Sequence, residues 1–235
     1  MGHRFHQELG RQLTAQADPE ISVPSSVRVR RLPKRGHYDR ATIEAILDEG
    51  LVCHVGFVVE GSPVVIPTLF WREGDWIYLH GSIASRMLGD ALKGPVCVTV
   101  THLDGLVLTR SAFHHSVNYR SVVLFGRPEE VADPGEREAR MRVFVEGLFP
   151  GRWDRLRPVK AKELRATRLL RLRIEEASAK IRSGPPADDA ADLDWPAWGG
   201  VIPVEMRVGA PQPDGHVKKK GLRPPETRRF GRRRD

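Results

Sequence analysis

Hydrophobic positions change their period several times between residues 39 and 174, and each change marks an element boundary. Ile43, Ile46 and Leu47 recur at helical spacing behind Asp39, a good N-cap, and Gly50 stops them. The pattern predicts a short helix through Glu49. Residues 51–59 and 64–71 are apolar and β-branched, and the polar runs 60–63 and 72–75 read as turns. Residues 76–80 alternate, with Trp76, Tyr78 and His80 on one face and Ile77 and Leu79 on the other. Helical spacing returns over 85–92 (Met87, Leu88, Ala91, Leu92) until Gly94-Pro95. Residues 96–101 and 106–110 predict a hairpin around Asp104-Gly105, and 119–126 a further strand. Asp133-Pro134 opens a helix to about residue 148, with Met141, Phe144, Val145 and Leu148 facing inward. Residues 167–174 form the last clear strand, its leucines alternating with basic side chains.

Six or seven short antiparallel strands with a few intervening helices predict a mainly β barrel rather than a doubly wound sheet. Residues 1–35 lack sustained periodicity and read as a flexible arm, 36–210 as the folded domain, and 211–235 as a basic, disordered tail. From Ser183 onward Pro, Gly and Asp become frequent. Trp195, Trp198, Val201 and Ile202 still form an apolar island suited to packing on a partner subunit.

Charge changes this picture only after it is located. The net charge is +8, but residues 216–235 hold nine basic side chains against two acidic, and residues 1–35 seven against three. The remaining 36–215 carry −3, so the basicity belongs to the ends. Nucleic-acid binding is therefore expected at most weakly, through the C-terminal tail. No apolar run approaches the roughly 20 residues of a spanning helix. The polar N-terminus has no apolar h-region. Cys53 and Cys97 lie alone in apolar stretches and read as free thiols of a reducing cytoplasm.

The segment DWIYLHGSIASRML carries the chemistry. A strand ending at His80 passes through Gly81 and Ser82 into a helix whose first turn holds Ser85 and Arg86. Serine hydroxyls, a helix start and a guanidinium suit a phosphate, although the same serines serve equally as plain caps. No G-x-S-x-G elbow, GxGxxG fingerprint or P-loop is present, which argues against hydrolase, Rossmann and NTPase readings.

Together with LVCHVGFVVEGSPVVIPTLFW, NYRSVVLFGRPEEV, KIRSGPP and GGVIPV, that segment resembles the pyridoxamine 5′-phosphate oxidase-related superfamily, and within it the nitroimidazole-resistance-like flavin-nucleotide-binding branch. The resemblance spans residues 33–210 and implies a split β-barrel homodimer with FMN at the subunit interface. It implies that Val65, Ile66, Pro67 and Thr68 face the isoalloxazine, and that His80, Gly81 and Ser82 lie beside ribityl and phosphate. Ser85 and Arg86 would clamp the phosphate, and Tyr119, Arg120 and Ser121 would close the site. Met87 stands where the oxidase proper has a lysine, so FMN binding is expected without pyridoxamine-phosphate oxidation.

Several residues keep a second reading. His80 is a candidate proton donor or a satisfied strand histidine. Arg120 pairs with Glu129 or Glu130 on an edge strand, or reaches the cofactor or the partner chain. His114-His115 point to opposite faces of an extended segment and read as a polar loop rather than a metal site. Trp71 and Trp76 suit packing better than cofactor stacking. The sequence thus predicts a flavin-dependent oxidoreductase of small molecules, nitro-aromatic or similar electrophiles. The alternative is a non-catalytic module that binds flavin, F420 or haem.

Overall fold

A computed structural model describes residues 24–216 and 222–227; the rest of the expected arm and basic tail lies outside the described residues. The first helix, α1 (Arg40–Glu49), follows a two-residue strand, β1 (Gly36–His37). Asp39 caps it by accepting the Thr42 N–H at 2.8 Å, and Ile43, Ile46 and Leu47 are its buried stripe. A hairpin follows, β2 (Val52–Val59) and β3 (Ser62–Glu73), joined through Glu60 (φ 50°) and Gly61 (φ 78°). Two successive positive φ values match the twist of the flanking strands. β4 (Trp76–Ser82) leads into α2 (Arg86–Ala91).

The hairpin expected around Asp104-Gly105 is absent. One strand, β5 (Val96–Leu108), runs straight through and pairs along its length with β6 (Ser116–Gly126). The register slips between Leu103 and Gly105, so Asp104 is the extra residue of a bulge. Glycine follows it because β10 (Gly200–Pro203) passes close: a Cβ on Gly105 would meet Val201 Cγ1 at 3.0 Å and the Ile202 oxygen at 3.1 Å. The remaining elements are β7 (Glu129–Glu130), α3 (Pro134–Leu148), α4 (Ala161–Ala166), β8 (Thr167–Arg173) and β9 (Glu176–Arg182). Residues 176–182 and 200–203 are thus strands beyond the last one the periodicity marked.

Every pairing is antiparallel, in the order β1-β9-β6-β5-β2-β3-β4-β8-β7, with β10 on β5, and the sheet is not closed. The larger core joins α1 and α2 to the inner faces of β2, β5, β6 and β9 and to Phe70, Ile77 and Leu79. A smaller cluster on the far side of β4 holds Trp71, Tyr78, Val131 and Leu169. Only Met141 and Phe144 of α3 reach it, and α3 has no buried residue; Val145 and Leu148, expected inward, are half-buried. Trp71 stacks on Tyr78 with centroids 5.4 Å apart, and the Arg171 guanidinium lies 4.6 Å over the Trp76 ring.

Residues 24–35 of the expected arm lie against the sheet. Val27 is only 4% exposed, and the Val29 N–H donates to the Tyr38 hydroxyl at 2.9 Å. At the other end Asp188 takes two hydrogen bonds from Arg110, yet Trp195 and Trp198 stay 67% and 64% exposed. Both cysteines are free, and burial pushes the Cys53 thiol up to about 12. Among the described residues no helix is long and apolar enough to cross a membrane.

Candidate functional site

Strand β3 changes partners halfway. Its residues 62–69 pair with β2 and residues 70–73 with β4. The Phe70 N–H donates to the Leu51 carbonyl at 3.1 Å, so Thr68 and Ile66 also turn their backbone groups toward β2. By the same alternation Val65 and Pro67 turn theirs away, to an edge that no strand covers, whereas Leu69, next to the Phe70–Leu79 pair, turns its N–H toward β4. Pro67 has no N–H, which leaves the Val65 N–H and the Val65 and Pro67 carbonyls on this edge. Val65 is 62% exposed beside it.

The other prong of this fork is the end of β4. His80, Gly81 and Ser82 pair only with Leu169, Arg168 and Thr167 of β8. Gly81 packs closely, since a Cβ there would sit 3.0 Å from Leu88 Cδ1 and push that side chain aside. The Ser82 hydroxyl accepts the Ala84 N–H at 3.2 Å, and the Ser85 hydroxyl caps α2 by accepting the Leu88 N–H at 3.4 Å. Each hydroxyl keeps its own proton to donate outward. With six residues α2 has little macrodipole, so an anion here depends on side chains more than on a helix end.

Arg86 is the guanidinium that stands at this turn. It is exposed and has no hydrogen bond or ion pair with a described residue. Met87 turns inward and packs against the core. Periodicity did not single out Arg168, which pairs in register with Gly81 and lies within 3.3 Å of the position a Gly89 Cβ would take. Its Nε donates to Glu130 at 3.3 Å. The alternation of leucine and basic residues along β8 was the available signal.

His80 lies against Trp71 and Phe144, with ring centroids 5.8 and 5.4 Å away. Its Nδ1 is buried without a partner among the described residues, and burial holds its pKa below the ordinary histidine value. A neutral imidazole results at neutral pH.

The third predicted group does not reach this fork within one chain. Tyr119 and Ser121 lie on β6, three strands from β3 or about 14 Å across the sheet. Ser121 donates to the Lys180 carbonyl at 3.3 Å. Arg120 points to the opposite face and is not an edge-strand residue, so its pairing with Glu129 or Glu130 is corrected. Its guanidinium grips Glu49 at the end of α1 and Asp104 in the β5 bulge, with Nη2–Oε1 and Nη2–Oδ1 both 2.8 Å. Four of its five donors are used there, so the structure gives Arg120 a structural partner set rather than a cofactor. His114 and His115 lie in and after a short 3-10 turn, and no metal-ligand cluster exists among the described residues.

Residues 39–181 match the protein family described as pyridoxamine 5′-phosphate oxidase. The chain belongs to that family. Among solved structures, the flavocytochrome Anf3 from Azotobacter vinelandii is 45% identical, over 88% of this chain and 96% of its own, with a TM-score of 0.83. A FAD and haem binding protein from Mycobacterium smegmatis is 35% identical, over 81% and 94%, with a TM-score of 0.77. A candidate 5-nitroimidazole antibiotic resistance protein from Bacteroides thetaiotaomicron shares the fold at 20% identity, over 62% and 86%, with a TM-score of 0.53. No curated protein matches the chain. As a member of the pyridoxamine 5′-phosphate oxidase family, this chain places an unpaired strand edge, a serine-rich turn and an unpartnered arginine at one fork of its sheet.

Proposed function

We propose that this fork holds a flavin and that the protein is a flavin-dependent redox protein of small molecules. The observation that carries the reading is the unpaired edge of β3 opening beside the turn that bears Ser82, Ser85 and the unpartnered Arg86. The Val65 N–H and the neighbouring carbonyls suit the polar rim of an isoalloxazine. The serine hydroxyls and Arg86 suit the phosphate nearest the ribityl chain, which FMN and FAD share. Bound flavin would supply the electron chemistry. His80 would set the environment of its ring: neutral, wedged between Trp71 and Phe144, with an orphaned Nδ1 able to accept or pass a proton. Small electrophiles such as nitro-aromatics are the substrate class, with a reduced nicotinamide as donor.

A second copy of the chain completes the site in this reading. Val52, Val58, Val65 and Leu103 leave an exposed apolar face on β2, β3 and β5, of the kind that marks a protein interface. A homodimer across that face would bring the partner's outer β6 surface, with Tyr119 and Ser121, toward the fork. Free thiols fit a reducing compartment such as the cytoplasm.

Haem beside the flavin is a second reading, favoured by the two similar proteins whose descriptions are a flavocytochrome and a FAD and haem binding protein. His115 fits an iron: it is exposed, and its Nδ1 lies 3.0 Å from the Ser111 carbonyl, so that donating there would leave Nε2 as the ligating nitrogen. Absorbance of the freshly purified protein, followed by titration with FMN and FAD, tests the first reading. Flavin bands are expected, with bleaching by a reduced nicotinamide and recovery on adding a nitro compound. A colourless preparation that takes up neither flavin overturns it. A Soret band that His115→Ala shifts or removes supports haem, and its absence from haem-supplemented cultures removes that second reading.

A further inference from the structure

Two buried polar atoms beneath α3 lack a partner and are matched to each other. Trp71 and His80 are diagonal neighbours on one face of the β3–β4 hairpin, because Trp71 registers with Tyr78 and His80 follows by two along β4. Their ring centroids lie 5.8 Å apart with the planes at 60°. Phe144 of α3 closes on both rings, at 4.9 and 5.4 Å. Trp71 Nε1 and His80 Nδ1 are each buried there without a hydrogen bond among the described residues. An unpaired polar atom in such an apolar setting is costly, so the two have a strong incentive to meet.

The chemistry of the two atoms allows one arrangement. An indole N–H only donates, whereas a neutral imidazole carries its proton on one nitrogen and accepts on the other. With the proton on Nδ1, two donors would face each other and both would stay unpaired. With the proton on Nε2, Nδ1 accepts from the indole. One competing acceptor stands on the same strand: Glu73 Oε2 is also buried and unpaired. The Glu73 carboxylate already has Arg140 as its counter-charge, whereas His80 has no side-chain hydrogen bond with any described residue.

We infer that Trp71 is a positioning residue that fixes the tautomer of His80. Its indole N–H donates to Nδ1, and the ring proton of His80 sits on Nε2. Nε2 has neither full burial nor a partner among the described residues, so its proton is free for a guest. The consequence for chemistry rests on the flavin reading above. At the fork His80 presents an N–H donor, suited to an acceptor atom of the ring or to an oxygen of a nitro-type substrate. The tautomer itself depends on no cofactor.

The test is long-range proton–nitrogen correlation NMR of the nitrogen-labelled, full-length protein at neutral pH, with His80→Gln identifying the His80 signals. The parent should show Nδ1 unprotonated and Nε2 protonated, a reading that needs no variant to fold. Trp71→Phe keeps a ring but no N–H, and it should move the Nδ1 resonance to that of a nitrogen accepting no hydrogen bond. His80→Gln should in turn shift the Trp71 indole N–H. Trp76→Phe is the control, since that ring lies under Arg171 and Arg173, and it should leave His80 in place. A proton on Nδ1 in the parent, or an Nδ1 signal unmoved by Trp71→Phe, overturns the inference. So does an indole signal that answers to Glu73→Gln and not to His80→Gln. With FMN bound, Trp71→Phe should slow reoxidation by a nitro compound about tenfold or more at unchanged FMN affinity. A protein that takes up no flavin removes the fork reading and leaves the tautomer result standing.

Discussion

Replacing Arg120 with alanine should unsettle the whole fold while leaving flavin affinity intact in the molecules that fold. Arg120 bridges three elements: its own strand, the C-terminus of α1 through Glu49, and the β5 bulge through Asp104. Removing it strands two carboxylates without a counter-charge. Loss of one partner of a buried ion pair costs about 3–5 kcal/mol. The Glu49 and Asp104 side chains keep 19% and 28% exposure, so water relieves part of the penalty. The expectation is therefore the lower end, about 3 kcal/mol, or roughly 6–12 °C in Tm for a chain of this size. Urea unfolding with an unchanged m-value is the assay. The acid dependence is a second check. The Arg120 hydrogen bond holds the Glu49 carboxyl below its ordinary 4.5. Its stabilisation is full above that value and is lost as pH falls through the lowered folded value. The gap between parent and variant should accordingly narrow in acid. A loss below about 1 kcal/mol at pH 7, or a gap that widens in acid, would refute the reasoning.

Arg86→Ala should weaken flavin binding by about 1.5–3 kcal/mol, the range of a charge-assisted hydrogen bond, with Tm of the flavin-free protein unchanged. Fluorescence titration reads it, and unaltered affinity would remove the phosphate assignment. His80→Phe should flatten the loss of stability on acidification. The buried imidazole keeps a depressed pKa, so its contribution is present above about pH 6.5 and lost as pH falls through the folded value. Parallel melts from pH 7 to pH 5 that coincide for parent and variant would contradict this. Glu60→Asn should raise stability by about 0.5–1 kcal/mol, because asparagine tolerates the φ of 50° better than glutamate. A lower urea midpoint would show that the Glu60 side chain matters more than its backbone.

Local chemistry made much of the fold legible. Asp39 and Gly50 bracket α1, and Asp133-Pro134 opens α3, because caps act within a few residues of themselves. The alternation in 76–80 sorted Ile77 and Leu79 to one core and Tyr78 to the other. Asp104-Gly105 misled because the same dipeptide serves a tight turn and a bulge. What decides between them is β10, nearly a hundred residues away, pressing on the glycine. β9 was passed over because its small and charged residues, Ala177, Ser178, Ala179 and Lys180, make a weak apolar alternation, and their burial comes from neighbours. At the site, spacing showed a serine-rich turn before a helix with Arg86 in its first turn, while the phosphate-clamp reading of that turn came from the resemblance. The ion pairs of Arg120 could not be read this way, since Glu49 is 71 positions away in sequence.

Leaving half of β3 uncovered carries a hazard: a bare row of peptide groups invites another chain to dock on it and start a fibre. Pro67 stands in the middle of that row, with its missing N–H on the uncovered side. An incoming strand would meet a gap in its ladder there, whereas a compact ring can use the Val65 N–H and the carbonyls beside it. The residue thus acts as a gatekeeper that keeps the opening available to a small guest and closed to polymerisation. Pro67→Val should raise light scattering of the concentrated, flavin-free protein, and an unchanged signal would show that other features protect this edge.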